Sequence, residues 1–152
     1  MSHVQPSSAL ASRRMAAGRQ KGTAPEVALR RELYRNGLRY RVNVEVLKKP
    51  RRVADVAFPR LRIAVFVDGC FWHGCPQHAT WPKHNAEFWR QKIEANRQRD
   101  ADTNARLRDG GWMVLRFWEH ESPIEASKPV VRLVIAERSL LRESATNSRK
   151  KN

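Results

Sequence analysis

The sequence predicts one mixed α/β domain in which a helix, three consecutive strands, a helix, a fourth strand and a last helix follow one another. Three observations carry this order. Leu38, Tyr40, Val42, Val44 and Val46 alternate with Arg39, Arg41, Asn43 and Glu45, the period of a half-buried strand. Two short apolar runs, Val53–Phe58 and Ile63–Val67, follow closely around a bend at Pro59 and read as a hairpin. Residues 85–109 then place Trp89, Ile93, Asn96, Asp100, Thr103 and Leu107 on one helical face, before a new apolar run, Trp112–Trp118, returns the chain to the sheet.

The first helix opens at Thr23-Ala24-Pro25-Glu26, a hydroxyl cap, an early proline and a glutamate placed to bond back, and closes at Asn36-Gly37. A basic turn, Lys48 to Arg52, separates the first two strands, and Gly110-Gly111 ends the long helix. The polar members of its stripe belong either to a buried hydrogen-bond network, the reading that suits Asp100, or to a ligand surface, which suits Asn96. Lys128-Pro129 precedes a final amphipathic helix that runs through Leu141. The expected organisation is a flexible basic arm over residues 1–20, a domain over 21–142 and a disordered polar tail over 143–152.

The chain has 152 residues, enough to bury roughly 70% of its unfolded surface without a staple. Its 30 Lys and Arg stand against 15 Asp and Glu, a formal charge of +15, so a polyanion is the first partner to consider: nucleic acid, an anionic membrane surface or another acidic partner. The longest apolar run, Ile63–Val67, is far short of the ~20 residues of a membrane span. The first 25 residues lack acids and a secretory apolar core, which leaves a basic arm or a transit peptide. Without a secretory signal, the two cysteines read as thiolate ligands rather than a disulfide.

Both cysteines lie in Phe66–His78, FVDGCFWHGCPQH. Cys70, Cys75 and His78 are ligands of the kind zinc prefers, and His120, just past the fourth strand, offers a fourth, with His73 and His84 as competitors. The alternative is a pair of reduced cysteines beside unrelated histidines. His73, on a segment that Cys70 and Cys75 would tether, is either a general base or a packed structural histidine. Asp55, inside an apolar strand, either faces solvent at an edge or binds a cation. Phe71 and Trp72 are core residues or wedges between base pairs.

These residues fall into a pattern. Ser12–Met15, Thr23–Glu26, the strand with Asp55, Gly69–His73, Glu87–Ile93, Asn96 with Arg99-Asp100, and Gly111–Glu119 together resemble the very-short-patch-repair (Vsr) mismatch endonucleases, a branch of the restriction-endonuclease-like superfamily, from about Ser12 to Glu121. The resemblance implies a restriction-endonuclease-like core, a mixed sheet flanked by helices with a zinc-stapled loop. It implies an Mg²⁺-dependent nuclease that nicks one strand of duplex DNA 5′ to the thymine of a T:G mismatch. Asp55 would hold the Mg²⁺, His73 would activate the attacking water and Glu26 would support the metal's water shell. Phe71, Trp72 and Trp89 would enter the base stack from the major groove and Met15 from the minor groove, where a mismatch is cheapest to unstack. Lys92 and Asn96 would face base edges or phosphates. A monomer acting in the bacterial cytoplasm, at the nucleoid through DNA, with mismatch-repair proteins as further partners, completes the expectation.

Departures from the pattern bear on chemistry. Asp68 stands where the family usually has a second histidine, and an acid there binds or orients metal rather than donating a proton at neutral pH. Cys70, Cys75, His78 and His120 form a rearranged zinc set, and the superfamily's acid-x-lysine is absent from the apolar third strand. Two rivals follow: a Vsr-like nicking nuclease with another DNA substrate tied to a methylation or restriction system, and a zinc-containing DNA-binding module without catalysis.

Overall fold

The computed structural model describes residues 22–77 and 83–151, and its elements come in the expected order. The basic arm with Met15, and His78, lie outside the described residues. Helix α1 (Ala24–Arg35) leads into strands β1 (Arg41–Lys48), β2 (Arg51–Phe58) and β3 (Ile63–Asp68), with a 3-10 turn at Pro59–Leu61. Helix α2 (Ala86–Asp109) crosses to β4 (Met113–Trp118), and α3 (Pro123–Lys150) follows. The strands lie in the order β1-β2-β3-β4, antiparallel at the first two junctions and parallel between β3 and β4.

Central strand β3 is apolar from Ile63 to Val67 because both its faces are covered. Ile63 and Val65 pack with Val56, Leu29, Leu33, Val130 and Val134 under α1 and α3. Ala64 and Phe66 point the other way, to a thinner layer with Ala54, Ala57 and Leu107 of α2. No helix among the described residues is long and apolar enough to cross a membrane.

Four local expectations need correction. The alternation of β1 breaks at Asn43, whose φ of +50° turns the strand: Tyr40 packs with the α1/α3 layer, Val44 and Val46 with the α2 layer, and Val42 is exposed. Thr23 occupies the cap of α1 without a side-chain bond, and Glu26 instead accepts from the Gly22 N–H and from Arg30. Helix α3 starts at Pro123, capped by Ser122, and carries Pro129 inside it. Burial of Ala126, Ser127 and Val130 on either side holds that turn although Pro129 donates no bond. The same helix runs on to Lys150 through the segment expected to be a disordered tail, because good helix formers such as Leu, Arg and Glu propagate a helix once it is anchored, even on an exposed stretch.

Leu33 is fully buried in the main layer whereas Leu140 is 54% exposed. Leu33→Ala should therefore lower the unfolding free energy by about 2–5 kcal/mol, and Leu140→Ala should change it by less than about 0.5 kcal/mol, both read from urea denaturation.

Candidate active site and metal cluster

Strands β2 and β3 are paired from Phe58 and Ile63 to Val56 and Val65, and the next side chain of β2 takes over from the ladder. Asp55 Oδ2 accepts the Val67 N–H at 2.7 Å, a bond that fixes the carboxyl between the two strands. Burial pushes its pKa up to about 7, and the nearby Glu26 and Asp68 carboxylates add to the rise against the opposing Val67 bond. Glu26, itself buried, reaches the same pocket from α1. A cation beside a carboxyl so placed would favour its ionised form, and a hard divalent ion bound through oxygen and water fits that role.

Strands β3 and β4 stay paired as far as Asp68 and Trp118, so Asp68 and Arg116 emerge together on the α2 side. Arg116 donates from Nη1 to both Asp68 oxygens at 2.9 and 3.1 Å and from Nε to Asn104 at 2.7 Å, with its guanidinium over the Phe66 ring. Asp100 of α2 accepts from His73 Nδ1, and Asp68 lies 3.9 Å from the same nitrogen. Burial alone would lower the His73 pKa, but the Asp100 bond and the Asp68 and Asp100 charges outweigh it and hold it above the ordinary value. The arrangement leaves Nε2 as the acceptor nitrogen of a neutral ring. Asp68, His73 and Asp100 are near enough to share a metal ion, yet Arg116 already supplies their cation.

The loop after β3 turns back on itself through Gly69 O···H–N His73 and Cys70 O···H–N Cys75 bonds of 3.1 and 2.9 Å. It presses onto α2 at Gly74, where φ is +66° and an added Cβ would lie 2.8 Å from Ile93. At its base Cys70 Sγ is 3.2 Å and Cys75 Sγ 3.7 Å from His120 Nδ1. A tetrahedral zinc with ordinary bond lengths would set sulfur and nitrogen about 3.6 Å apart, so three of the four expected ligands fit such an ion. Burial, and then the Cys75 thiol, push Cys70 up to about 12, so a bound cation is what would hold thiolates here. His84 lies exposed outside this cluster.

Phe71, Trp72, Trp89 and Ile93 form a separate buried cluster with ring centroids 5.5–6.2 Å apart, so the expected wedge residues pack on one another and Phe88 is the exposed ring beside them. Asn96 is committed through Nδ2 to Trp72 O at 3.0 Å, which fixes the loop rather than leaving the whole amide for a base. Lys92, Asn96, Arg52 and Arg99 line one mouth with Asp55, Asp68 and His73, around a cavity of about 540 Å³. Sequence reasoning passed over Arg116; its signal was the only charge in the apolar run Trp112–Trp118.

A family model described as DNA mismatch endonuclease Vsr matches residues 7–79. The chain is 43% identical to the type II nicking enzyme V.NaeI of Lentzea aerocolonigenes over 132 residues, 83% of this chain and 77% of that protein. It is 44% identical over 110 residues to the type II nicking enzyme V.NmeDIP of Neisseria meningitidis serogroup C, covering 70% and 72% of the two chains. Identity to the DNA mismatch endonuclease Vsr of Escherichia coli K12 is 37% over 112 residues, 71% of this chain and 68% of that one.

The raised Asp55 pKa has a definite sign for stability. The folded state holds this proton up to about pH 7 whereas the ordinary value is 3.8, so the carboxyl's contribution falls as pH rises from about 4 to 7 and stays low above that. In EDTA, the melting temperature of the wild type relative to Asp55→Asn should drop across that window; a pH-independent difference would contradict the burial account.

Proposed function

This chain belongs to the Vsr family of DNA mismatch endonucleases, and from that premise we propose that it is a magnesium-dependent endonuclease that nicks one strand of duplex DNA 5′ to the thymine of a T:G mismatch. The observation that carries the reading is the meeting of Asp55 and His73 at one basic-rimmed cavity, the first from β2 and the second from the loop after β3. A related name alone would not require those two side chains to converge.

Asp55, with Glu26 behind it, is the proposed holder of Mg²⁺ and its water shell. When bound, the ion supplies Lewis-acid polarisation of the scissile phosphate and stabilises charge on the leaving 3′ oxygen. His73 Nε2 takes the proton of the attacking water while Nδ1 donates to Asp100, so the ring is oriented as it becomes cationic. Asp68 acts beside His73 as a fixed charge, neutralised in turn by Arg116. Cys70, Cys75, His120 and His78 are the proposed zinc ligands, and their part is to hold the loop that bears His73.

Arg51, Arg52, Arg99 and Lys92 supply cations for the phosphates of the duplex. Phe71, Trp72 and Trp89 are the proposed stack-entering group, with Met15 opposite, and insertion requires the three rings to exchange their mutual edge contacts for base faces. That exchange is most favourable where the base pair is already weak, which supports a mismatch as the target. The arm over residues 1–20 and a single active domain acting as a monomer complete the proposal. A second reading concerns sequence context: identity to two type II nicking enzymes, 43 and 44%, exceeds the 37% to the Escherichia coli enzyme, which favours a lesion within a recognition sequence of a methylation or restriction system.

End-labelled duplexes with one T:G pair in varied flanks, set against matched C:G duplexes, test the proposal. With Mg²⁺ a nick should appear 5′ to the mismatched thymine only. His73→Ala and Asp55→Asn should each slow it by about a hundredfold or more while duplex binding persists. Equal cutting of matched DNA would overturn the mismatch reading, and undiminished nicking by both variants would overturn the site.

A further inference from the structure

At the opposite end of β2 and β3 from the active site, and on the α1/α3 face of the sheet, lies a second concavity of about 1010 Å³. One wall carries Arg39, Arg41 and Arg60, and the other carries Arg138 and Arg142, one turn apart on α3. The floor between them is apolar: Tyr40, Phe58, Leu61 and, from α3, Leu141. Arg39 spends its charge over the Tyr34 ring at 3.9 Å, but Arg41, Arg60, Arg138 and Arg142 have no carboxylate partner among the described residues. Leu141 continues the stripe of Val130 and Val134 beyond the point where the core ends, and it is 53% exposed.

From this groove we infer that the chain docks an acidic peptide segment of a partner protein, one that places an apolar side chain on the floor and carboxylates against both arginine walls. The segments outside the described residues do not carry the complementary charge. Residues 1–21 contain four basic side chains and no acid, residues 78–82 contain no acid, and a second copy brings another +15. None of these arginines lines the mouth of the active-site cavity, whose own cations are Arg51, Arg52, Lys92, Arg99 and Arg116. A phosphate backbone pairs with the walls but has nothing to set on Leu141, Tyr40 and Leu61, whereas a peptide with an anchor residue covers both kinds of surface.

The test is a random-peptide phage selection on the full-length chain with the triple variant Arg138→Ala/Leu141→Ser/Arg142→Ala as counter-target, followed by anisotropy with the enriched peptides made synthetically. Circular dichroism verifies that the triple variant, at half-buried Arg138 and exposed Leu141 and Arg142, keeps the fold. Enriched peptides should carry Asp or Glu on both sides of a large apolar residue, bind the triple variant about tenfold or more weakly, and be weakened by Leu141→Ser alone. No enrichment over the counter-target, or peptides that bind both forms alike, would overturn the inference. So would a triple variant that loses affinity for duplex DNA while Leu141→Ser has no effect on any peptide, since the groove would then be a nucleic-acid surface.

Discussion

Everything that makes this domain a candidate enzyme hangs on the parallel pairing of β3 with β4. The two strands stay in register to Asp68 and Trp118, and past that point both chains leave the sheet at the same level. Their exits bring Cys70 and Cys75 to His120, put Arg116 against Asp68, and set the loop that bears His73 against α2. Strand β2, by contrast, parts from β3 after Val56, and the gap is where Asp55 enters. One strand pair held and one released is therefore the geometric source of the pocket.

Electrostatics then sort the acids of that pocket into two kinds. Asp68 and Asp100 have Arg116 and His73 as ion-pair partners, although burial still holds the Asp68 pKa above the ordinary carboxylate value. Burial first, and then the Glu26 and Asp68 carboxylates, push the Asp55 pKa up to about 7 against its Val67 bond, and Asp55 has no ion-pair partner among the described residues. This division supports Asp55 rather than Asp68 as the proposed metal holder. An acid can thus stand where the family usually has histidine, because β4 brings an arginine to meet it.

Much of this was legible from residue order. The helix and strand sequence follows from periodicity, and Asp55, His73, Cys70, Cys75 and His120 stand out because polar chemistry is costly in apolar runs or rare in composition. The chain's fold class and family agree with that reading. What stayed hidden depends on partners distant in sequence. The turn at Asn43 rests on a positive φ that alternation does not report, and Glu26 has exchanged a capping bond for a place in the pocket. The extent of α3 past Leu141 is a property of propagation, which apolar periodicity does not report. Arg116 acquires its meaning only when β4 is folded beside β3, whereas Asp100 takes the place in a hydrogen-bond network that its position in the α2 stripe suggested.

In the proposed reaction the Asp100 carboxylate orients His73 so that its far nitrogen accepts a proton. Long-range ¹⁵N–¹H correlation of the His73 imidazole in the zinc-loaded chain tests it directly, just above the pH at which the ring loses its charge. Nδ1 should carry the proton, held by Asp100, and Nε2 should be bare. A ring protonated at Nε2, with Nδ1 bare, would contradict it.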